Sequence, residues 1–478
     1  MNLKKNIIST GLFTAVNLIA SSVTLLLLPL HTHFLTPEEY GIFVTMSAVT
    51  TFLLAFNSLG IKGAALRYLS DTKAFDNKKY LRSLLSTLFT CAILFSVAFL
   101  ILSFIVLYII SFTDSWEVWF YYAIFAILQA TLMSPVLLYS EYLRVFLKNK
   151  QFLTLHLIII IMMVVGNLLL VAYLKIGVLG VFISILFPYA VGVFLCLYWI
   201  IKEGYVYDRK MVWPLTRFGL NMLPHVIFST LLPIVDRYII VSLEGLKEVG
   251  FYAVINSICT VLYIICVNIG VTTRSIIYRL IEQGKYQSVQ LLIQRCSVGL
   301  AVIASLWVLW AQEILKLLLP NSFYSGYDLV TILTLRFLLH IGPTFYLSGV
   351  LYHKEGSRKV SRLSFISLVS VVCLGYLFTL YYGVMGMAIG GAVSAYLYLA
   401  LSCDQAKKMD NNTGWQAMDS LSPIIYIYAP IAIFIYTQGW QDNINISTVG
   451  VKVLLSLSII GVAYIVLRFR YNKESNAI

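Results

Sequence analysis

Residues Leu28 to Phe43 read LPLHTHFLTPEEYGIF. Two histidines, His31 and His33, stand two apart beside a glutamate pair, Glu38 and Glu39, in an otherwise apolar region. Imidazole and carboxylate are metal ligands and proton carriers, so three readings open: a metal site, a catalytic pocket, or a turn between helices. No spacing nearby supplies a third ligand, and no catalytic partner is placed by the pattern. Thr36-Pro37-Glu38-Glu39 reads instead as a helix start, with Thr at the cap, Pro at the first helical position and acids in the first turn. The seven cysteines are scattered and form no CxxC pair, so neither a disulfide framework nor a zinc site is supported. A metal-binding Asp cluster, a nucleotide loop and a nucleophile elbow are equally absent from the sequence.

The elements that position these residues follow from composition. The chain has 478 residues, 60% of them hydrophobic and 12% charged, with a mean hydropathy of +0.87. Soluble domains carry about 25% charged residues, so this chain reads as an all-α polytopic membrane protein, whose lipid-facing helices need apolar side chains on every side. The net charge of +13 is explained by basic cytoplasmic loops rather than by nucleic acid. The run from Ile7 to Leu30 is too long for a signal-peptide core and reads as an uncleaved first helix. A span needs about 20 mostly apolar residues. That rule predicts fourteen spans, at 7–30, 41–61, 84–111, 117–140, 152–174, 178–201, 214–240, 250–271, 297–319, 329–351, 363–382, 384–402, 422–438 and 447–467.

Charge tests the count. With the N-terminus cytoplasmic, 28 of the 34 lysines and arginines fall on the cytoplasmic side. Lys175, Arg237, Lys247 and Lys316 lie opposite, and Arg336 and Lys452 lie within spans. Both termini are predicted cytoplasmic, in a multi-pass cytoplasmic (inner) membrane protein. The external loops are short, which weighs against a membrane polymerase or ligase.

The two halves repeat. Asn17, Pro29 and His33 are matched by Asn221, Pro233 and Arg237, and EEYGIFVTMSAVTTFL (Glu38 to Leu53) faces KEVGFYAVINSICTVL (Lys247 to Leu262). GVLG (Gly177 to Gly180) meets GVMG (Gly383 to Gly386). Each half holds six helices, so both have the same orientation. The predicted architecture is two pseudo-symmetric six-helix bundles around a central cavity, 1–205 and 206–405, with a loop and two appended helices in 406–478. Two such bundles can rock in alternating access. Asn17, Pro29, His33, Asn221, Pro224 and Pro233 are the hinge or gate candidates; ordinary proline kinking is the alternative. GMAIGGAVSA (Gly386 to Ala395) reads as a small-residue face for close helix packing.

PLHTHFLTPEEYGIF, NMLPHVIFSTLLPIVDRYII with EVGFYAV, and the two GVxG entries resemble the polysaccharide-transporter family, the Wzx-type O-antigen and exopolysaccharide flippases of the multidrug/oligosaccharidyl-lipid/polysaccharide flippase superfamily. The resemblance implies a flippase of polysaccharide (O-antigen, capsule, lipopolysaccharide) biosynthesis. Its substrate would be an undecaprenyl-pyrophosphate-linked oligosaccharide carried from the cytoplasmic to the outer leaflet. Membrane lipids, a polysaccharide polymerase and a chain-length regulator are the implied partners. Family members usually carry Arg where His33 stands; here that arginine is kept only in the second half, as Arg237.

An anionic head crossing a low-dielectric layer calls for a cationic, water-filled path. The candidates are Arg336, Arg274, Arg67, Lys62, Arg237 and Arg279. Anchoring at the membrane surface is the alternative for Lys62, Arg67, Arg274 and Arg279, and pairing with Asp236 is the alternative for Arg237. Arg336 leads, because an unpaired arginine at mid-span costs about 2.5–3.5 kcal/mol on insertion scales. No cofactor is expected beyond H⁺ or Na⁺ as a coupling ion. Asp236, Glu141, His225 and His340 are the candidates to carry it, with packed histidines as the alternative. The competing functions are a small-molecule or multidrug exporter of the same superfamily, disfavoured by the few acids in the spans, and a membrane glycosyltransferase or polymerase.

Overall fold

A computed structural model describes residues 26–57, 59–69, 77–110, 117–352, 356–410, 424–438 and 450–461, with Val23, Ser422 and Ala463; at some helical positions it describes the backbone alone. The described chain is all-helical and divides into two compact units, Met1–Ile234 and Val235–Ile478.

The first unit begins with a helix over 26–34, then Pro37–Asn57, Ile61–Leu69, Lys78–Ile110, Glu117–Val145, Asn149–Asn167 and Val178–Glu203. Its apolar character is what a lipid solvent requires. The most apolar 18 residues within Lys78–Ile109 have a mean hydropathy of 2.8 yet only 17% of them are buried, so their outer face needs hydrocarbon rather than water. Inside, Leu84, Leu88, Tyr139, Leu143, Phe152, Leu155 and Cys196 form the buried core where four helices meet. The Pro37–Asn57 helix starts with a reciprocal capping box. Thr36 Oγ1 accepts the Glu39 N–H at 3.2 Å, and the Thr36 N–H donates to Glu39 Oε2 at 2.9 Å. Its far end breaks before Gly60, which has φ +71°. A Cβ there would lie 2.1 Å from the carbonyl oxygen of Gly219, so the chain passes another backbone at a distance only glycine permits. Asn149–Asn167 ends in a π-turn over Leu168–Tyr173.

The second unit takes its first turns from the end of the long Arg209–Glu244 helix, followed by Leu246–Glu282, Tyr286–Leu318, Leu329–Leu339, Ile341–Tyr352 and Gly356–Asp410. The last is two helices joined at Gly383, where φ is 57° and ψ −144°. Gly177, its partner in the repeat, has φ 70° and ψ −144°. Both units therefore make the same glycine-dependent break, and each lays a carboxylate beside it: Glu39 against Gly177 and Glu244 against Gly383. The span expected at 329–351 is bent at His340. Pro343 has no N–H for the Leu339 carbonyl, and the His340 N–H turns to the Phe337 oxygen at 3.2 Å. The appended helices Ala429–Gln438 and 450–461 pack on this unit. Tyr428 donates to the Thr331 carbonyl, Trp310 Nε1 to Ser456 Oγ at 3.2 Å, and Lys452 pairs with Glu313 at 2.6 Å. Lys452, a charge within a predicted span, thus has a carboxylate partner. Among the described residues nine helices are long and apolar enough to cross a membrane, and the shorter Ile424–Ile435 and Gly450–Gly461 are apolar too. The protein is a multi-pass membrane protein.

Candidate functional site: a buried Arg–Asp–Tyr cluster

Arg336 points inward from Leu329–Leu339 and is only 9% exposed. Its Nη1 donates to Asp236 Oδ2 at 2.6 Å and to the Tyr252 hydroxyl at 2.9 Å. Tyr252 in turn donates to the same Asp236 oxygen at 2.9 Å. Three helices meet here: Arg209–Glu244 supplies the carboxylate, Leu246–Glu282 the phenol and Leu329–Leu339 the guanidinium. The pairing cancels a charge that burial would otherwise penalise heavily. It is end-on, through one nitrogen and one oxygen, and Asp236 Oδ1 is buried with no hydrogen-bond partner among the described residues. A guanidinium favours two parallel bonds to a carboxylate or phosphate. This cluster holds its arginine by one edge, an arrangement that can exchange partners.

Two further groups set the arginine's position. Gly391 lies against it: a Cβ there would stand 2.9 Å from Cζ, Nε and Nη1. The GMAIGGAVSA face does pack closely, with a Cβ on Gly390 reaching the Gly375 backbone at 2.8 Å, but its Gly391 makes room for a guanidinium rather than for a helix. His340 Nδ1 bonds the Arg336 carbonyl at 3.0 Å. A carbonyl only accepts, so Nδ1 carries the proton and the ring is tied to its own helix, edge-on to Tyr263 at 5.7 Å.

Among the other sequence candidates two pairs come together, Lys62 with Glu141 and His33 with Pro29. Glu141 is buried in the first unit, 3.4 Å from Lys62 Nζ and 3.6 Å from Arg144 Nη1. Lys62 itself is half exposed. Arg237 is half-buried, next in sequence to Asp236, whose described ion pair is with Arg336. Pro29 is helical and half-buried, and exposed His33 bonds its carbonyl through Nδ1 at 3.1 Å. Asn17 lies outside the described residues. Arg67, Arg274, Arg279, Asn221, Pro224, His225 and Pro233 lie on described helices, with their side chains outside the description.

Sequence reasoning did not single out three participants. Tyr252 had a signal: it stands where the first half has Phe43, adding a hydroxyl at a core position. Gly391 was indistinguishable from its packing neighbours. Asn167 joins His31 in a buried pair, its Oδ1 accepting from Nε2 at 2.8 Å while its Nδ2 donates to Met163 O at 2.9 Å. His31 and His33 therefore turn to separate partners.

A family model described as polysaccharide biosynthesis protein matches residues 3–271, more than half of the chain. The chain belongs to the polysaccharide biosynthesis protein family. Comparison with curated proteins gives no match. Among solved structures, the lipid II flippase MurJ in its inward closed conformation is similar at 13% identity and a TM-score of 0.66, covering 98% of this chain and 99% of that one. A multidrug resistance MATE family transporter of the MOP superfamily, facing inward, is 13% identical with a TM-score of 0.61, over 82% of this chain and 96% of that one. The Vibrio cholerae MATE transporter VcmN in its bent form gives 13% and 0.55, over 89% and 100%. This family member thus has the fold of MOP-superfamily transporters.

Proposed function

We propose that the chain is a transporter rather than an enzyme, a flippase moving polyprenyl-pyrophosphate-linked oligosaccharide from the cytoplasmic to the outer leaflet by alternating access. The observation that carries this reading is the polysaccharide-biosynthesis family match. The likeness to a lipid II flippase, over 98% of this chain, supports it, because the two MATE likenesses quoted above reach 82% and 89%. The bundles 1–205 and 206–405 would alternate in an inner membrane, with both termini cytoplasmic. The lipid tail stays in hydrocarbon while the pyrophosphate needs a cation along its path. Arg336 is the proposed contact. Asp236 balances its charge when no substrate is bound, and a phosphate that can accept two parallel bonds takes over from a carboxylate that accepts one. Other basic candidates would flank it, and Asp236 is the proposed site of coupling to H⁺ or Na⁺. A polymerase and a chain-length regulator would act on the delivered product.

Clean deletion of the gene is expected to abolish surface polysaccharide and leave lipid-linked units on the cytoplasmic face. Normal polysaccharide together with lost drug efflux would replace this reading with the exporter. Arg336→Ala is expected to insert normally and fail to flip; flipping at the full rate would remove Arg336 from the path.

A further inference from the structure

A separate pocket of about 290 Å³ lies within the first unit, at the polar ends of Lys78–Ile110, Glu117–Val145 and Val178–Glu203. Its charged lining is Lys78, Arg82, Lys148 and Glu203. The carboxylate is already used on both oxygens. Lys148 Nζ pairs with Oε1, and the Tyr142 hydroxyl donates to Oε2 at 2.9 Å. Lys148 is further fixed over the Tyr142 ring, 4.7 Å from its centroid. Lys78 and Arg82 have no acidic partner among the described residues.

A buried hydroxyl points the same way. Ser86 lines the pocket, is 1% exposed, and accepts the Val206 N–H at 3.2 Å. Among the described residues its own O–H has no acceptor. The polar groups left over in this pocket are therefore donors: an ammonium, a guanidinium and a hydroxyl. Gly204 walls the pocket and sits close to Arg82, its φ of +97° being a backbone conformation that favours glycine. A donor-only pocket complements a group with several acceptor oxygens and negative charge, and a guanidinium beside an ammonium suits tetrahedral phosphate.

We propose that this pocket binds a phosphate group, bonded by Lys78, Arg82 and Ser86, with Lys148 held at its edge by Glu203. The site is independent of the Arg336 cluster and of the transport reading. Two sources share the chemistry, an anionic lipid headgroup and a soluble phosphate.

The test uses the full chain purified in detergent, titrated with dihexanoyl phosphatidylglycerol or with inorganic phosphate, with binding read by intrinsic fluorescence and by thermal shift. Saturable binding of the lipid alone identifies a headgroup site, and binding of inorganic phosphate as well identifies a general phosphate site. Lys78→Ala and Arg82→Ala, both at exposed positions, are each expected to weaken binding about tenfold or more, the size of one lost charge-assisted bond. Arg82→Lys retains the charge but not the fork, and is expected to fall between. Lys79→Ala and Lys150→Ala, exposed and outside the pocket lining, serve as controls. No saturable binding of either probe overturns the proposal. Equal weakening by the control variants also overturns it, because it would show a diffuse basic surface.

Discussion

Arg336 and Asp236 constrain each other at the level of single residues. Removing one partner of a buried pair leaves an uncompensated charge and costs about 3–5 kcal/mol, whereas removing both costs less than the sum. Asp236→Ala and Arg336→Ala are each expected to lower the thermal midpoint of the purified protein, and the double variant to recover part of the loss. A double variant as destabilised as the summed singles would show that the two do not act as a pair. Gly391→Ala would bring a methyl to 2.9 Å from the guanidinium and push it off Asp236 and Tyr252, at a cost of about 1–3 kcal/mol for overpacking. In an Arg336→Ala background the same change is expected to be nearly neutral, a contrast that thermal unfolding of the four proteins would read. Arg336 was legible in the sequence as a charge in an apolar run. Its partner was not, since Asp236 and Arg336 are 100 residues apart and Arg237 stood next to Asp236 as a nearer choice.

Helix breaks carry the information at the level of elements. GVLG and GVMG were recognisable as matched entries to helices, and the boundary drawn between 382 and 384 falls at Gly383. The reason is physical: the conformation at Gly177 and Gly383 is open to glycine and strained for any other residue. Gly177→Ala and Gly383→Ala are each expected to destabilise by about 1–3 kcal/mol, measured by unfolding in detergent; a loss of a few tenths would mean the backbone relaxes freely. The start at Thr36 was equally legible, because a capping box is a local pattern. Thr36→Ala is expected to cost about 0.5–2 kcal/mol. The bend at His340 lay within a span read as continuous. Pro343 signalled a kink without fixing where the chain would turn.

Orientation is the question at the level of the whole molecule. The proposed topology is checked by fusions: a fluorescent protein at the C-terminus is expected to mature, and alkaline phosphatase there to stay inactive. The reverse would invert every loop. The fourteen-span reading and its charge asymmetry came from hydropathy and lysine and arginine counts, which depend on the solvent each segment meets. Such properties add along the chain and can be read from it. The repeat belonged to the same class, because two copies of one pattern are visible without coordinates. Tertiary structure alone decided which charges meet. It tied Arg336 to Asp236 and Tyr252 across three helices, moved Gly391 from a packing face to a guanidinium's side, and gathered Lys78, Arg82, Lys148 and Glu203 around one pocket. Hydropathy assigns a residue to lipid, water or core, but a pairing depends on the rotation of each helix about its axis. That rotation is set by packing between segments distant in the chain.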